Sequence, residues 1–456
     1  MSDSIVSTIA NYATRVDGEL DDAVTHEVAR RTLDSLACAF LAMNGDGPKA
    51  ARRYGYGHPV ADGPRLWGTS FRADVQTAAL VNGVAVRYLD LNDSYFSLEG
   101  CHPSDVIPGI IAVGETLGSS GQEVALSVAI AYDVAMAMSD ACSMRAGGWD
   151  HVNVTGIGAC AGVGRLMGLT EEQQGHAIAL HVVPHAAMRQ TRQAQLSMWK
   201  GFAAADSLRQ AIYACSLARA GVTGPAESFE GRHGLINQML GGELPNRSAI
   251  ERLGDLPSPR RILETHIKVW PFGYVAQSAV EAAQRVREQL PDDADIESVE
   301  ITTFQAGVDL MGTDEKWVPK TRETADHSLP YVVSEMLRRG RVDADSFTSV
   351  RFADPDAHAF LKDRVRVVVD EDFTNRYPNE FPTRIVVVAD GVTYSEELGA
   401  SLGHASRPMS DAQIREKYDE GASKVLAAEQ AEQLADAALG LGGLAAVADL
   451  TELTVA

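Results

Sequence analysis

The chain has 456 residues, 45% of them hydrophobic and 22% charged, and a formal net charge of −22. Such a length exceeds one compact core and points to two domains of ordinary globular composition. So acidic a chain argues against nucleic acid or an anionic membrane surface as partner, and an anionic ligand would need a local cluster of cations working against the overall field.

The opening stretch, MSDSIVSTIANYATRVDGEL, has neither a basic n-region nor a continuous apolar h-region. No run of about 18 apolar residues stands out as a membrane span. Cys38, Cys101, Cys142, Cys160 and Cys215 form no CxxC pair, so neither a disulfide framework nor a common zinc or iron–sulfur spacing is indicated. A cytoplasmic location is the expectation. Lysine is confined to Lys49, Lys200, Lys268, Lys316, Lys320, Lys362, Lys417 and Lys424, so a lysine inside an apolar segment is a marked position.

From about residue 20 to 265 the sequence reads as successive helices rich in small residues. THEVARRTLDSLACAFLAM, DVQTAALVNGVAVRYLD, GQEVALSVAIAYDVAMAMSDAC, GIGACAGVGRLMGL and KGFAAADSLRQAIYACSLARAG can approach closely in a bundle. Thr170 is an N-cap for TEEQQGHAIAL, with acidic residues in the first turn. The texture changes near residue 265: IESVEITTF, RVRVVVDEDF and TRIVVVADGVTYSEEL alternate like strands, with ADGVTY as a hairpin turn. SAVEAAQRVREQL and HSLPYVVSEMLRRG are helices between them, and after residue 408 the chain returns to helix. The expected architecture is a large all-helical domain, residues 1–264 and 402–456, with a smaller α+β lid domain, residues 265–401, inserted before the helical return.

Four patches could carry chemistry. LDLNDSYFSLEGCHPSD follows an apolar helix and brings Asp90, Asn92, Asp93, Ser94, Glu99 and His102 together. Asp90 and Ser94 share a face if the helix continues, and Pro103 is expected to end regular structure. GGWDHVNVTGIG sets His151 before a helix start; MRQTRQAQLSMWKGFAAAD supplies Arg189, Arg192 and Lys200; and THIKVWPFGYVAQSAVEAA puts His266 and Lys268 at the domain junction. Each has a plainer reading too, respectively a capped turn, a core or capping histidine, a solvated basic loop and a hinge linker. There is no GxGxxG after a strand, no GxxxxGK[ST], no GxSxG and no HExxH. NDSYFSLE misses the magnesium pattern of terpene cyclases because Phe96 stands where a hydroxyl is needed. No cofactor and no metal are expected, only acid–base chemistry on a small anion.

In this order the patches resemble the MmgE/PrpD family, through ALVNGVAVRYLDLNDSY with HPSD, WDHVNVTGIGACAGVGRLMGL, MWKGFAAADSLRQAIYA, KVWPFGYVAQSAVEAA, DHSLPYVVSEML and FTNRYP. The family includes 2-methylcitrate dehydratase, cis-aconitate decarboxylase and iminodisuccinate epimerase, and the wording here is closer to the first. The resemblance implies a homodimer with its site between the domains, and carries that site onto Asp90, Ser94 (where Thr is usual), His102, His151, Lys200, Lys268 and Tyr331. Gly273 stands where the decarboxylases carry a histidine, and the loop between Ser94 and His102 is longer. The implied activity is a metal-free hydro-lyase dehydrating a 2-methylcitrate-like hydroxy-tricarboxylate. His102 or His151 is then the base, Asp90 orients one imidazole, and Tyr331 donates from the lid. Lys200 and Lys268 hold substrate carboxylates, with Arg189 and Arg192 as further candidates. A decarboxylase, an epimerase or isomerase of a dicarboxylate, and a non-catalytic ligand-binding protein are the alternatives.

Overall fold

The computed structural model describes residues 3–456. Its principal helices in the first half are α1 (Ser4–Arg15), α2 (Asp22–Leu41), α3 (Val75–Arg87), α4 (Ile107–Leu117), α5 (Gly121–Ala141), α6 (Val152–Leu166), α7 (Glu171–Val182) and α8 (Trp199–Arg219). The starts are written locally: Ser120 with Glu123 and Thr170 with Gln173 form reciprocal capping boxes. Small residues set the spacing of the bundle. A Cβ on Gly158 or Gly162 of α6 would lie 2.5 Å or 2.4 Å from the Ala131 or Ser127 carbonyl of α5, so only glycine permits this approach. By length and composition α5 could cross a membrane, contrary to the sequence reading, but 94% of its apolar window is buried inside the protein. It is a core helix.

Later come α9 (Gln277–Gln289), α10 (Leu329–Arg339), α11 (Asp411–Ala422) and α12 (Ala428–Leu439). The strands are a short hairpin, β1 (Tyr95–Phe96) and β2 (Gly100–Cys101), and a mixed sheet of β3 (Ile296–Thr303), β4 (Val365–Val369), β5 (Thr383–Ala389) and β6 (Val392–Leu398), in the order β4-β3-β5-β6. β3 runs parallel to β4 and antiparallel to β5. Asp390 and Gly391 join β5 to β6 with φ of 49° and 71°, the pair of left-handed residues a two-residue hairpin turn demands. Along β5, Thr383, Ile385, Val387 and Ala389 are buried and alternate with part-exposed neighbours; the inner residues pack against the apolar face of α9. Two large apolar cores result. One gathers residues from Ile5 to Ile267 and again from Met409 to Leu450; the other runs from Phe272 to Ala389.

The helical return is tied to the first core by a buried charge. Lys417 of α11 donates to Asp34 Oδ1 of α2 at 2.5 Å and to the carbonyls of Leu91 and Lys268 at 3.0 and 2.9 Å. Replacing it with methionine leaves Asp34 buried and unpaired. Lys417→Met is expected to lower stability by about 3–5 kcal/mol, measured by guanidinium denaturation.

Candidate active site

Asp74 caps α3 by accepting from the Gln76 and Thr77 amides, and the helix ends at Arg87. Asp90 and Ser94 therefore do not share a helical face. Asp90 turns the chain with φ of 53°, a left-handed value, and Ser94 lies in extended backbone paired with His266, with N–H to O distances of 2.9 and 2.8 Å. That bridge joins the first patch to the fourth. The β1–β2 hairpin follows, and it returns the chain to His102. Pro103 does not end regular structure: it opens a 3₁₀ turn, Pro103–Val106, that leads into α4, in keeping with proline's preformed φ at a helix start.

Asp90 is 1% exposed and forms a charge hub. Lys268 Nζ donates to its Oδ1 and its carbonyl, both at 2.7 Å, and Arg87 pairs with Oδ1. Lys200 Nζ and His327 Nε2 lie 3.6 and 3.2 Å from Oδ2. Burial pushes this carboxyl up, but the charges of Arg87, Lys268 and Lys200 together hold it well below the ordinary range. Burial also lowers both lysines, Lys268 to about 8, against the pull of the carboxylates.

Three imidazoles border one cavity of about 110 Å³. His102 Nδ1 contacts the Asp93 carbonyl at 2.7 Å and Ser94 Oγ at 3.1 Å. Donation to the carbonyl leaves Nε2 as the free lone pair. Asp90 does not orient this ring, since its Oδ1 is 3.8 Å from Nε2. His151 Nδ1 instead meets Asp150 Oδ1 at 2.9 Å, and its buried Nε2 has no hydrogen-bond partner among the described residues. The His102 and His151 rings stand edge to face, 5.5 Å apart. His327 is fixed at Nδ1 by Asp326, 2.7 Å away. All three are held below the ordinary histidine value: His102 far below, by burial and then Arg87 and Lys268; His327 to about 4, by burial and Lys200; His151 by burial, which Asp150 opposes. Asp150 itself is pushed up by burial but held well below its usual range by Arg192 and His151.

The cavity wall is basic. Arg87, Arg145, Arg189, Arg192 and Lys316 face only Asp90 and Glu99 as acids, in a chain whose net charge is −22. Arg189 Nε and Arg192 Nη2 are buried without partners. Arg192 also braces Asp150, donating Nε–H to its Oδ2 at 3.0 Å. Glu99 closes the other side, accepting from the Gly100 and Arg145 amides at 3.1 and 2.7 Å.

Three sequence expectations are corrected. Lys200 and Lys268 do not line the cavity; their ammoniums pair with Asp326 at 2.8 Å and with Asp90 at 2.7 Å, directly behind the cavity wall. Tyr331 also lies off the cavity, buried in the second core, where its hydroxyl donates to the Ser346 carbonyl. Ser94 touches the site only through His102. His102, His151, Arg189, Arg192 and Asp90 do border the cavity. His327, four residues before Tyr331 in the same DHSLPY run, was overlooked, as were Asp150, Asp326, Arg145 and Lys316. Asp326 and His327 are adjacent polar groups before an apolar helix, a signal like that of Asp150 and His151. A Cβ on Gly273 would meet Met311 Sδ at 2.6 Å, so a side chain there would have to displace Met311. Among the described residues no group of three or more His, Cys, Asp or Glu is arranged to hold a metal ion.

Comparison with known proteins agrees with the order of the patches. Residues 7–248 match the MmgE/PrpD N-terminal domain and residues 270–441 the MmgE/PrpD C-terminal domain. The chain is 28% identical over 438 residues to the mitochondrial 2-methylcitrate dehydratase of Yarrowia lipolytica, covering 89% of this chain and 81% of that protein. It is 28% identical to 2-methylcitrate dehydratase of Cupriavidus necator, covering 89% and 87%. With cis-aconitate decarboxylase of Mus musculus the identity is 25%, covering 94% and 89%. Both family domains match in order over most of the sequence, and the chain belongs to the MmgE/PrpD family.

Proposed function

We propose that the protein is a lyase that dehydrates a 2-methylcitrate-like hydroxy-tricarboxylate by general acid–base catalysis without a metal. The observation that carries this reading is a carboxylate-backed imidazole and guanidinium donors on one small cavity: His151 Nε2, Arg189 Nε and Arg192 Nη2, all buried and without hydrogen-bond partners among the described residues. Each site aspartate already has cationic partners, Asp90 with Lys268, Asp150 with Arg192 and Asp326 with Lys200, which suits a site working by proton transfer and fixed charge.

In this mechanism His151 Nε2 takes the C–H proton beside a substrate carboxylate, while ionised Asp150 at Nδ1 stabilises the imidazolium. The arginines stabilise the enolate-like charge that develops on the carboxylate. The electron pair of the broken C–H bond forms the alkene, the C–O bond breaks, and the hydroxyl leaves as water with the proton His151 acquired. His102 Nε2 is an acceptor that can hold the hydroxyl in line, and His327, spanning Asp90 and Asp326, fixes the cavity floor. A cytoplasmic location, a homodimer, and a lid formed by residues 265–401 belong to the same reading, on the family resemblance.

The test is proton NMR in D2O with 2-methylcitrate, citrate, cis-aconitate and dicarboxylates offered in turn. An alkene from 2-methylcitrate or citrate supports dehydration. Deuterium exchange without elimination would replace it with an epimerase, and loss of CO2 with a decarboxylase. The base must be neutral, and burial keeps these histidines below the ordinary value of 6.5. The acid limb of kcat/KM should therefore fall below pH 6.5, with activity lost only as pH drops through the lowered pKa; a limb above that value would speak against a buried imidazole base.

A further inference from the structure

Lys316 is 4% exposed and lines the cavity from the sheet-bearing part of the chain, yet no salt bridge or hydrogen bond to its ammonium exists among the described residues. Every other buried lysine has found a carboxylate: Lys200 has Asp326, Lys268 has Asp90, and Lys417 has Asp34. A lysine whose side chain is so largely buried is as a rule paired, whereas the Lys316 ammonium is left to the cavity that it lines. Lys316 is also set against other cations. Burial depresses its pKa, and Lys200 and Arg189 oppose its charge while Glu315 and Asp326 favour it.

The same cavity is lined by the loop that carries Arg189, whose Nε is buried without a hydrogen-bond partner among the described residues. The two segments are stitched together beside their cations. Gln195 donates to the Glu315 carbonyl at 3.5 Å and accepts from the Lys320 amide at 3.1 Å, and the Leu196 amide donates to Thr324 Oγ1 at 3.0 Å. Two cations without a partner among the described residues thus line one cavity from two parts of the chain that side-chain hydrogen bonds join nearby.

We infer that Lys316 and Arg189 form a carboxylate subsite spanning the two parts, which takes one carboxylate of the substrate and holds the parts together while it is bound. The subsite rests on the reading of a polycarboxylate substrate given above. It assigns carboxylate binding to Lys316 in place of Lys200 and Lys268, and makes closure depend on the charge of the ligand.

The test uses propane-1,2,3-tricarboxylate, which has no hydroxyl to lose and so separates binding from turnover. By titration calorimetry, Lys316→Met is expected to bind it about 10–100-fold more weakly than the unaltered protein, the worth of a hydrogen bond to a charged group. Lys316→Arg should recover most of the loss. Amide exchange over residues 313–324 should slow on ligand addition in the unaltered protein and not in Lys316→Met. If Lys316→Met and Lys316→Gln, both folded by circular dichroism, bind within about twofold of the unaltered protein, as expected for a solvated pair, the subsite is wrong. Failure of the unaltered protein to bind the tricarboxylate also overturns it. Weakened binding in the variant, with no dehydration of 2-methylcitrate by the unaltered protein, would keep the subsite and reject the hydro-lyase.

Discussion

His151→Gln is expected to lower kcat by about 10²–10⁴-fold, the range for removing a positioned general base, and to leave the fold intact. Glutamine is close in length and can keep a hydrogen bond to Asp150, but it supplies no basic lone pair at the position of Nε2. The Asp150 partnership is the reason to expect the larger effect at His151 than at His102. Ionised Asp150 at 2.9 Å favours a protonated His151, whereas His102 donates to a neutral carbonyl and lies under the charges of Arg87 and Lys268. A base must accept a proton and hold it through the transition state, and of these two only His151 has a carboxylate against its far nitrogen. His102→Gln should cost less, chiefly through substrate orientation. The measurement is kcat and KM for both variants with the substrate that NMR identifies, alongside circular dichroism. An active His151→Gln enzyme would remove His151 from the mechanism; equal losses at both positions would make the two imidazoles a single unit.

The second large effect is on stability as well as rate. Asp90→Asn removes the negative charge that Arg87, Lys268 and Lys200 share, and leaves Lys268 buried beside the other two cations without its carboxylate. Breaking a buried pair in this way costs about 3–5 kcal/mol. Asparagine isolates the charge, because it tolerates the left-handed backbone at φ of 53° and keeps the side chain's shape. Its effect should be read in two ways. Guanidinium denaturation reports the stability loss. A pH series reports its origin, because the folded pKa of Asp90 lies below its unfolded value. The contribution of this carboxylate is fully present above the unfolded pKa of about 4 and is lost as pH falls through the folded value. The gap between the two proteins should therefore be constant near neutrality and close only in strong acid. A gap unchanged in strong acid would mean that shape, not charge, makes Asp90 matter.

The local patterns were legible to the extent that their causes are local. Thr170 before an acidic turn makes a capping box with Gln173 whatever lies around it, and alternation in TRIVVVA puts Ile385 and Val387 on one face. The burst of polar groups after α3 also had a readable meaning, since Asp90 and His102 do border the cavity. Two details failed because short-range spacing was extended past its cause. Asp90 and Ser94 are four residues apart, but the helix has already ended at Arg87, and Pro103 starts a helical turn instead of stopping one.

Which cation meets which anion was not readable. Lys200, Lys268 and Lys316 are all lysines within or beside apolar sequence, and nothing in their neighbours separates them. The fold brings Asp326 and Asp90 into ion pairs with the first two, and among the described residues no ion pair forms with the third. His327 lies just before α10 and Tyr331 in its first turn, yet the imidazole meets Asp90 and the phenol is buried in the second core. The sequence by itself determined the helical and stranded segments, the acidic exterior and the set of groups able to do acid–base chemistry. Only the tertiary structure decided which of those groups are spent on neutralising one another and which face the cavity unpaired, because a charge's partner is chosen by distance in space across hundreds of residues, not by position along the chain.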